Sequence, residues 1–216
     1  MEFDKILNLG GPLLLGAVTT VQITIAALIM AIFLGLTFAL VKLTRFRALH
    51  WLIDIYVELF RNTPVLTQLF LIYFGLAYLG FKVAAFPAAI IGLSLNGGAI
   101  LTEVFRAGLG AIHHGQREAA LAVGMTPWAS LRYIILPQTW KITLPPLGNY
   151  AIALLKDTAV VSAIAAPEIM FYARNLVTST FETTLVYVLA AALYFCLSFP
   201  LARMVERFER RQSAWQ

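Results

Sequence analysis

From residue 6 to residue 41 the chain carries no Asp, Glu, Lys or Arg. About 20 apolar residues in helical form cross the hydrocarbon of a bilayer, and an uncharged run this long has nowhere to hide in a small soluble domain. The bias extends along the whole sequence: 60% of its 216 residues are hydrophobic and 12% charged, where a soluble domain has roughly a quarter charged. Lipid is the solvent for most of this chain. The N-terminus, Met1-Glu2-Phe3-Asp4, is acidic, and the run that follows is too long for a signal-peptide core, so it is expected to remain as a span.

Five spans are expected, at about 13–41, 62–81, 83–102, 142–166 and 183–202. Residues 1–12 then form an extracytoplasmic segment and 208–216 a cytoplasmic tail. Pro64 fits the first turn of the second span, where no intrahelical bond is lost. Gly92, Gly97 and Gly98 line the third and allow close helix approach. The fourth reaches full length only by continuing through Lys156 and Asp157, and Pro145-Pro146 inside it predicts a broken or kinked helix beside a cavity.

Basic residues give the orientation. With the N-terminus outside, 12 of the 16 Lys and Arg fall in the cytoplasm, leaving only Lys5, Lys82, Lys156 and Arg174 on the other side. That asymmetry satisfies the positive-inside rule. The expected fold is therefore an all-α membrane protein with five transmembrane helices, N-terminus outside and C-terminus cytoplasmic. The lipid bilayer is its first partner. The cations are scattered singly between apolar runs, which excludes a nucleic-acid surface. The single cysteine, Cys196, excludes an internal disulfide. His113 and His114 point to different faces of a helix with no third ligand near, so no metal site is expected. The basic stretch 203–211 reads as a membrane-surface anchor.

The cytoplasmic segment 106–141 lies between the third and fourth spans and reads as helix, turn, helix. Glu118-Ala119-Ala120-Leu121-Ala122 are good helix formers, and Gly124 can take the left-handed conformation that ends a helix. Thr126 then offers an N-cap hydroxyl and Pro127 suits the first helical position. The second helix should stop or bend at Pro137.

These residues carry a resemblance. Glu118-Ala119-Ala120, Gly124, Ile134 and Leu136-Pro137 stand at the spacing of the cytoplasmic signature of permease subunits of ATP-binding-cassette type I importers. Tyr56-Val57-Glu58-Leu59-Phe60-Arg61-Asn62-Thr63-Pro64, Gly115-Gln116-Arg117 and Leu155-Lys156-Asp157-Thr158 look like blocks of the polar amino acid branch. The likeness covers about 16–207. It implies a type I importer transmembrane domain over 13–207, in a bacterial inner membrane, forming half of a translocation pathway. It also implies an ATP-binding subunit in two copies, a second permease chain, identical or homologous, and an extracytoplasmic amino-acid-binding protein. The chain has no G-x-x-x-x-G-K-[ST] loop, so ATP and Mg²⁺ are expected on the partner ATPase, with no cofactor bound here. Arg117, Glu118, Ala119, Ala120, Gly124, Leu136 and Pro137 would then form the coupling segment that meets the ATPase.

A pathway for a polar amino acid also needs polar groups in the membrane. Gln68, Asn96, Glu103, Asn149, Lys156 and Asp157 are the candidates. The simpler structural roles are an i, i+3 ion pair for Glu103 with Arg106, interhelical hydrogen bonds for Gln68 and Asn149, and capping or helix bonding for Lys156 and Asp157. Two other classes compete with the importer subunit. An ion-coupled secondary transporter would show inverted repeats and more spans. A membrane-embedded enzyme would need a reactive constellation, and no catalytic residues are expected because Ser162, Ser179 and Ser198 have no histidine partner on the spans.

Overall fold

The computed structural model describes the backbone of residues 2–213, and every regular element among them is a helix. Met1 and 214–216, parts of the expected terminal segments, lie outside the described residues, as does the Arg211 side chain. The helices are α1 (Glu2–Val41), α2 (Arg47–Arg61), α3 (Val65–Tyr78), α4 (Ala85–Gly110), α5 (His114–Ala122), α6 (Pro127–Ile164), α7 (Ile169–Thr180) and α8 (Thr183–Ser213). Four of them contain stretches long and apolar enough to cross a membrane: Asn8–Val41, Ala85–Gly110, Pro127–Ile164 and Thr183–Arg210. These overlie the first, third, fourth and fifth expected spans. α1 already begins at Glu2, so no break marks residue 13.

The region of the second expected span differs. Pro64 is the extended residue just before α3, one position earlier than a first-turn proline. α3 has 14 residues, which rise about 21 Å against a hydrocarbon thickness of about 30 Å. Upstream, the chain forms α2, an amphipathic helix with three faces. Ile53 and Val57 are buried, Leu52, Ile55 and Leu59 are exposed and apolar, and Asp54, Glu58 and Arg61 are exposed and charged.

α6 answers two proline expectations in part. It does not stop at Pro137, because the turn before it, Leu131–Ile135, is a π-turn in which the Leu136 N–H reaches back five residues to the Leu131 carbonyl. Widening that turn makes room for a ring that would otherwise press on the carbonyl four residues earlier. The helix does not break at Pro145-Pro146; Leu136–Asp157 is one continuous helix containing both. The two carbonyls that lose their donors belong to Lys141 and Ile142, both exposed. Beyond Asp157 the helix tightens into a 3₁₀ stretch, Thr158–Ile164, that ends at left-handed Ala165.

α1 is the mast of the bundle. Its N-terminal part packs Leu9, Leu13 and Ala17 against Ile169 and Ala173 of α7 and Val186 and Ala190 of α8. Its middle places Ile23 and Ala27 with Leu69 of α3, Ala88, Ala89 and Leu93 of α4 and Leu154 of α6. Its far end packs Ala31 and Ala39 on Leu101 and Phe105 of α4 and Leu147 of α6. Small residues set the α1–α4 spacing. A Cβ on Gly35 would lie 2.9 Å from the Leu101 carbonyl carbon, and one on Gly98 2.9 Å from the Leu34 Cβ. Lipid provides no hydrophobic drive between helices, so this close backbone approach carries the packing.

Candidate functional site: a coupling segment and an intramembrane polar line

The segment between α4 and α6 folds as a U. His113 starts its first arm, α5, by accepting the Gly115 N–H on Nδ1 at 3.1 Å. Along the arm His114 Nδ1 stands 3.1 Å from Glu118 Oε1, one turn apart, leaving the carboxylate exposed. Arg117 and Ala119 are exposed too, while Ala120 is buried. Gly124 ends α5 at φ +82°. The Met125 N–H bonds the Ala120 carbonyl at 3.1 Å and the Gly124 N–H the Leu121 carbonyl at 3.0 Å. This paired closure satisfies the last carbonyls of a helix and fixes the angle at which the chain leaves it. Thr126 then caps α6, its hydroxyl accepting the Ala129 N–H at 3.2 Å, with Pro127 in the first helical position.

The arms are tied by Gln138 Nε2, which donates to Gln116 Oε1 at 3.3 Å and to the Ile134 carbonyl at 2.9 Å. Leu136 and Pro137 sit just past the π-turn, Leu136 half-buried and Pro137 exposed. The tip presents an apolar surface: Val123 is 77% and Trp128 68% exposed. A short rigid U with a charged arm and an apolar tip is suited to docking on another protein.

The six polar candidates separate into four places. Gln68 and Asn96 come together: Asn96 Nδ2 donates to Gln68 Oε1 at 3.1 Å, and both side-chain amides donate to the Phe60 carbonyl, at 3.0 Å from Asn96 and 2.8 Å from Gln68. Gln68 Nε2 also reaches Thr63, its carbonyl at 3.0 Å and its hydroxyl at 2.8 Å. These bonds satisfy backbone carbonyls at the gap between α2 and α3 and fasten it to α4. Nearby, the Tyr56 hydroxyl donates to the Leu95 carbonyl at 2.5 Å. Glu103 and Arg106 form a bidentate ion pair on α4, Nη2 to Oε2 at 2.5 Å. Asn149 bonds Glu209 of α8 at 3.4 Å. Lys156 and Asp157 close the regular part of α6, exposed and remote in sequence from the Gln68–Asn96 pair.

Two features escaped the sequence reading. Asp54 of α2 pairs with Lys42 after α1. Glu168, with no exposed surface, caps α7 through the Phe171 N–H at 2.8 Å and accepts the Tyr194 hydroxyl. Beside it Arg174 bonds the Ser162 hydroxyl. The signal for Glu168 was present: a lone acid after Pro167, directly before the apolar run of α7, is an N-cap pattern.

The sequence matches, over residues 13–214, the family described as binding-protein-dependent transport system inner membrane component. The chain belongs to this family. Among its relatives, the arginine transport system permease protein ArtQ of Bacillus subtilis is 34% identical over 91% of this chain and 90% of that protein. The L-cystine transport system permease protein TcyB of Bacillus subtilis is 36% identical over 93% and 86%. A putative glutamine transport system permease protein GlnP of Rickettsia bellii is 37% identical over 89% and 90%. A crystal structure of an amino acid ABC transporter with histidines superposes with a TM-score of 0.90 at 34% identity, covering 98% of this chain and 99% of that one. The MetNI methionine ABC transporter, inward-facing, superposes at 0.68 with 20% identity over 91% and 95%, a likeness of fold.

Proposed function

We infer that this chain is the permease subunit of a binding-protein-dependent amino acid importer of the ATP-binding-cassette class, with no ATPase site of its own. One observation carries the assignment to a coupled machine: the rigid U of α5 and the start of α6, closed by Gly124 and exposing Glu118 and Trp128. Its place in the mechanism is a joint. A separate ATPase subunit binds ATP and Mg²⁺, closes on nucleotide, and moves the U. Because the segment from Pro127 to Ile164 is helical throughout, that motion passes directly into the membrane part of α6. Arg117, Glu118, Ala119, Ala120, Gly124, Leu136 and Pro137 form the docking and transmission surface.

The pathway follows from the same architecture. α3 is the remaining, fifth crossing, led into by α2 and broken at Asn62–Pro64; its Leu69 shares a core with Ile23 and Leu93. With α2 included, the crossing is long enough. The charged face of α2, with Glu58 and Arg61, then needs water, which a pathway between two permease chains supplies. The side chains of Gln68, Asn96 and Glu103 line or brace that pathway, and those of Asn149, Lys156 and Asp157 stand along α6. The N-terminus lies outside and the C-terminus in the cytoplasm, supported by the 12 basic residues that this orientation places inside. The complete machine contains two ATPase copies, two permease chains in the bacterial inner membrane, and an extracytoplasmic binding protein that delivers a polar amino acid.

Purification of the tagged chain from its native membrane tests this reading. A co-eluting nucleotide-binding subunit is expected, with ATP hydrolysis stimulated by amino-acid-loaded binding protein. Its absence from every preparation would refute the proposal.

A further inference from the structure

A cavity of about 760 Å³ opens where the ends of α1 and α4 meet the starts of α2 and α5. Its charged lining consists of Lys42, Asp54, Arg106 and Arg117, with Leu109 and Ile135 among the apolar walls. Three fixed cations thus face one carboxylate. Asp54 is held by Lys42, and Arg106 by Glu103 from outside the lining. Arg117 has no carboxylate partner among the described residues. His113 adds a further donor: with its Nδ1 accepting the Gly115 N–H, its Nε2–H remains to donate. The surplus charge in a partly apolar concavity is a site for an anion.

We propose that this cavity binds a phosphate-type oxyanion, and that in the membrane the oxyanion is the headgroup of an anionic phospholipid. The apolar surface beside it supports the lipid source. Leu43, which lines the cavity, is 45% exposed, and Phe46 just before α2 and Leu49 in its first turn are 68% and 44% exposed. A headgroup seated on Arg117 and Lys42 leaves its acyl chains along that strip. Basic pockets between spans at the cytoplasmic surface are suited to such headgroups. The choice of leaflet rests on the orientation proposed above. The binding itself does not.

The full-length chain in nanodiscs of phosphatidylcholine tests the site, with thermal unfolding as the readout, because a ligand of the folded state raises the midpoint. One arm adds phosphatidylglycerol to the bilayer, the other adds inorganic phosphate to the buffer. The phosphatidylglycerol arm is expected to raise the midpoint. Arg117→Gln and Lys42→Gln should each weaken apparent affinity about five-fold, and together roughly 30-fold. Arg117→Lys should retain most of it. Asp54→Asn removes the opposing carboxylate and should tighten binding about five-fold, a change of opposite sign that does not depend on the cation variants folding well. A response to phosphate alone would support the oxyanion site and overturn the lipid source. No response in either arm, or one indifferent to all these substitutions, would overturn the site. Neither arm requires transport, so a silent cavity beside intact ATP-driven uptake rejects this site and leaves the permease assignment standing.

Discussion

Glu168 Oε2 lies 2.5 Å from the Tyr194 hydroxyl that donates to it, joining the N-terminus of α7 to α8 through a carboxylate with no exposed surface. The Ile169 N–H adjoins the Thr20 hydroxyl of α1 at 3.4 Å, so three helices meet here. Removing one partner of a buried hydrogen bond to a polar group costs about 1–3 kcal/mol. Tyr194→Phe is expected to lose stability of that order, and Glu168→Ala more, because it also strips the cap from Phe171. Denaturant unfolding in detergent checks both. An unchanged midpoint for Glu168→Ala would show that the cap and the bridge contribute nothing.

Gly35 and Gly10 form a matched pair on α1. At Gly35 a Cβ would meet the Leu101 carbonyl carbon at 2.9 Å and the Thr102 nitrogen at 3.0 Å, backbone atoms that cannot swing aside. Gly35→Ala is expected to cost about 1–3 kcal/mol. At Gly10 nothing lies within 4 Å of the added atom. Gly10→Ala in the same helix should therefore stabilise by about 0.5–1 kcal/mol. Comparing the two unfolding midpoints reads the sign directly.

The Gln68–Asn96 pair is suited to a double-mutant cycle. Both amides serve the Phe60 carbonyl and one serves the other, so Gln68→Leu and Asn96→Leu should be non-additive. A coupling energy of about 0.5–1.7 kcal/mol is expected for a bond of this kind between membrane helices. Strict additivity would mean that the two amides act independently.

Much of this architecture was legible because lipid imposes simple rules. Uncharged runs of sufficient length marked four of the apolar helices, and the turn of the U was marked by Gly124 through its left-handed conformation, by the capping hydroxyl of Thr126 and by Pro127 in the first helical position. α2 was not legible as a helix of the bundle. Its Asp54, Glu58 and Arg61 lower its hydropathy, and only the packing of Ile53 and Val57 reveals which face is inside. The course of α6 through Pro137 was hidden for a different reason: a π-turn is a register shift of the backbone, and no residue type announces it. Glu168 was passed over because its partner Tyr194 lies 26 residues away on another helix.

Substitution at Gly124 tests the proposed coupling role separately from stability of the spans. At φ +82° a β-branched side chain is strongly disfavoured, although nothing within 4 Å would obstruct it. Gly124→Val should unravel the paired closure at Ala120 and Leu121, at a local cost of about 1–3 kcal/mol, while the spans stay folded. Gly124→Asn, which tolerates this conformation, should keep most of the function. The informative readout is the amount of ATPase subunit retained on the tagged permease. Equal retention by both variants would separate the Gly124 geometry from docking.

The most direct measurement of the central claim is uptake of a radiolabelled polar amino acid into proteoliposomes. These hold the permease chain and its co-purified ATPase subunit, with the binding protein added outside and ATP trapped within. Accumulation that requires both ATP and the binding protein, and that Gly124→Asp abolishes while the spans remain folded, is the expected result. Accumulation driven by an ion gradient without ATP, or unaffected by Gly124→Asp, would contradict it.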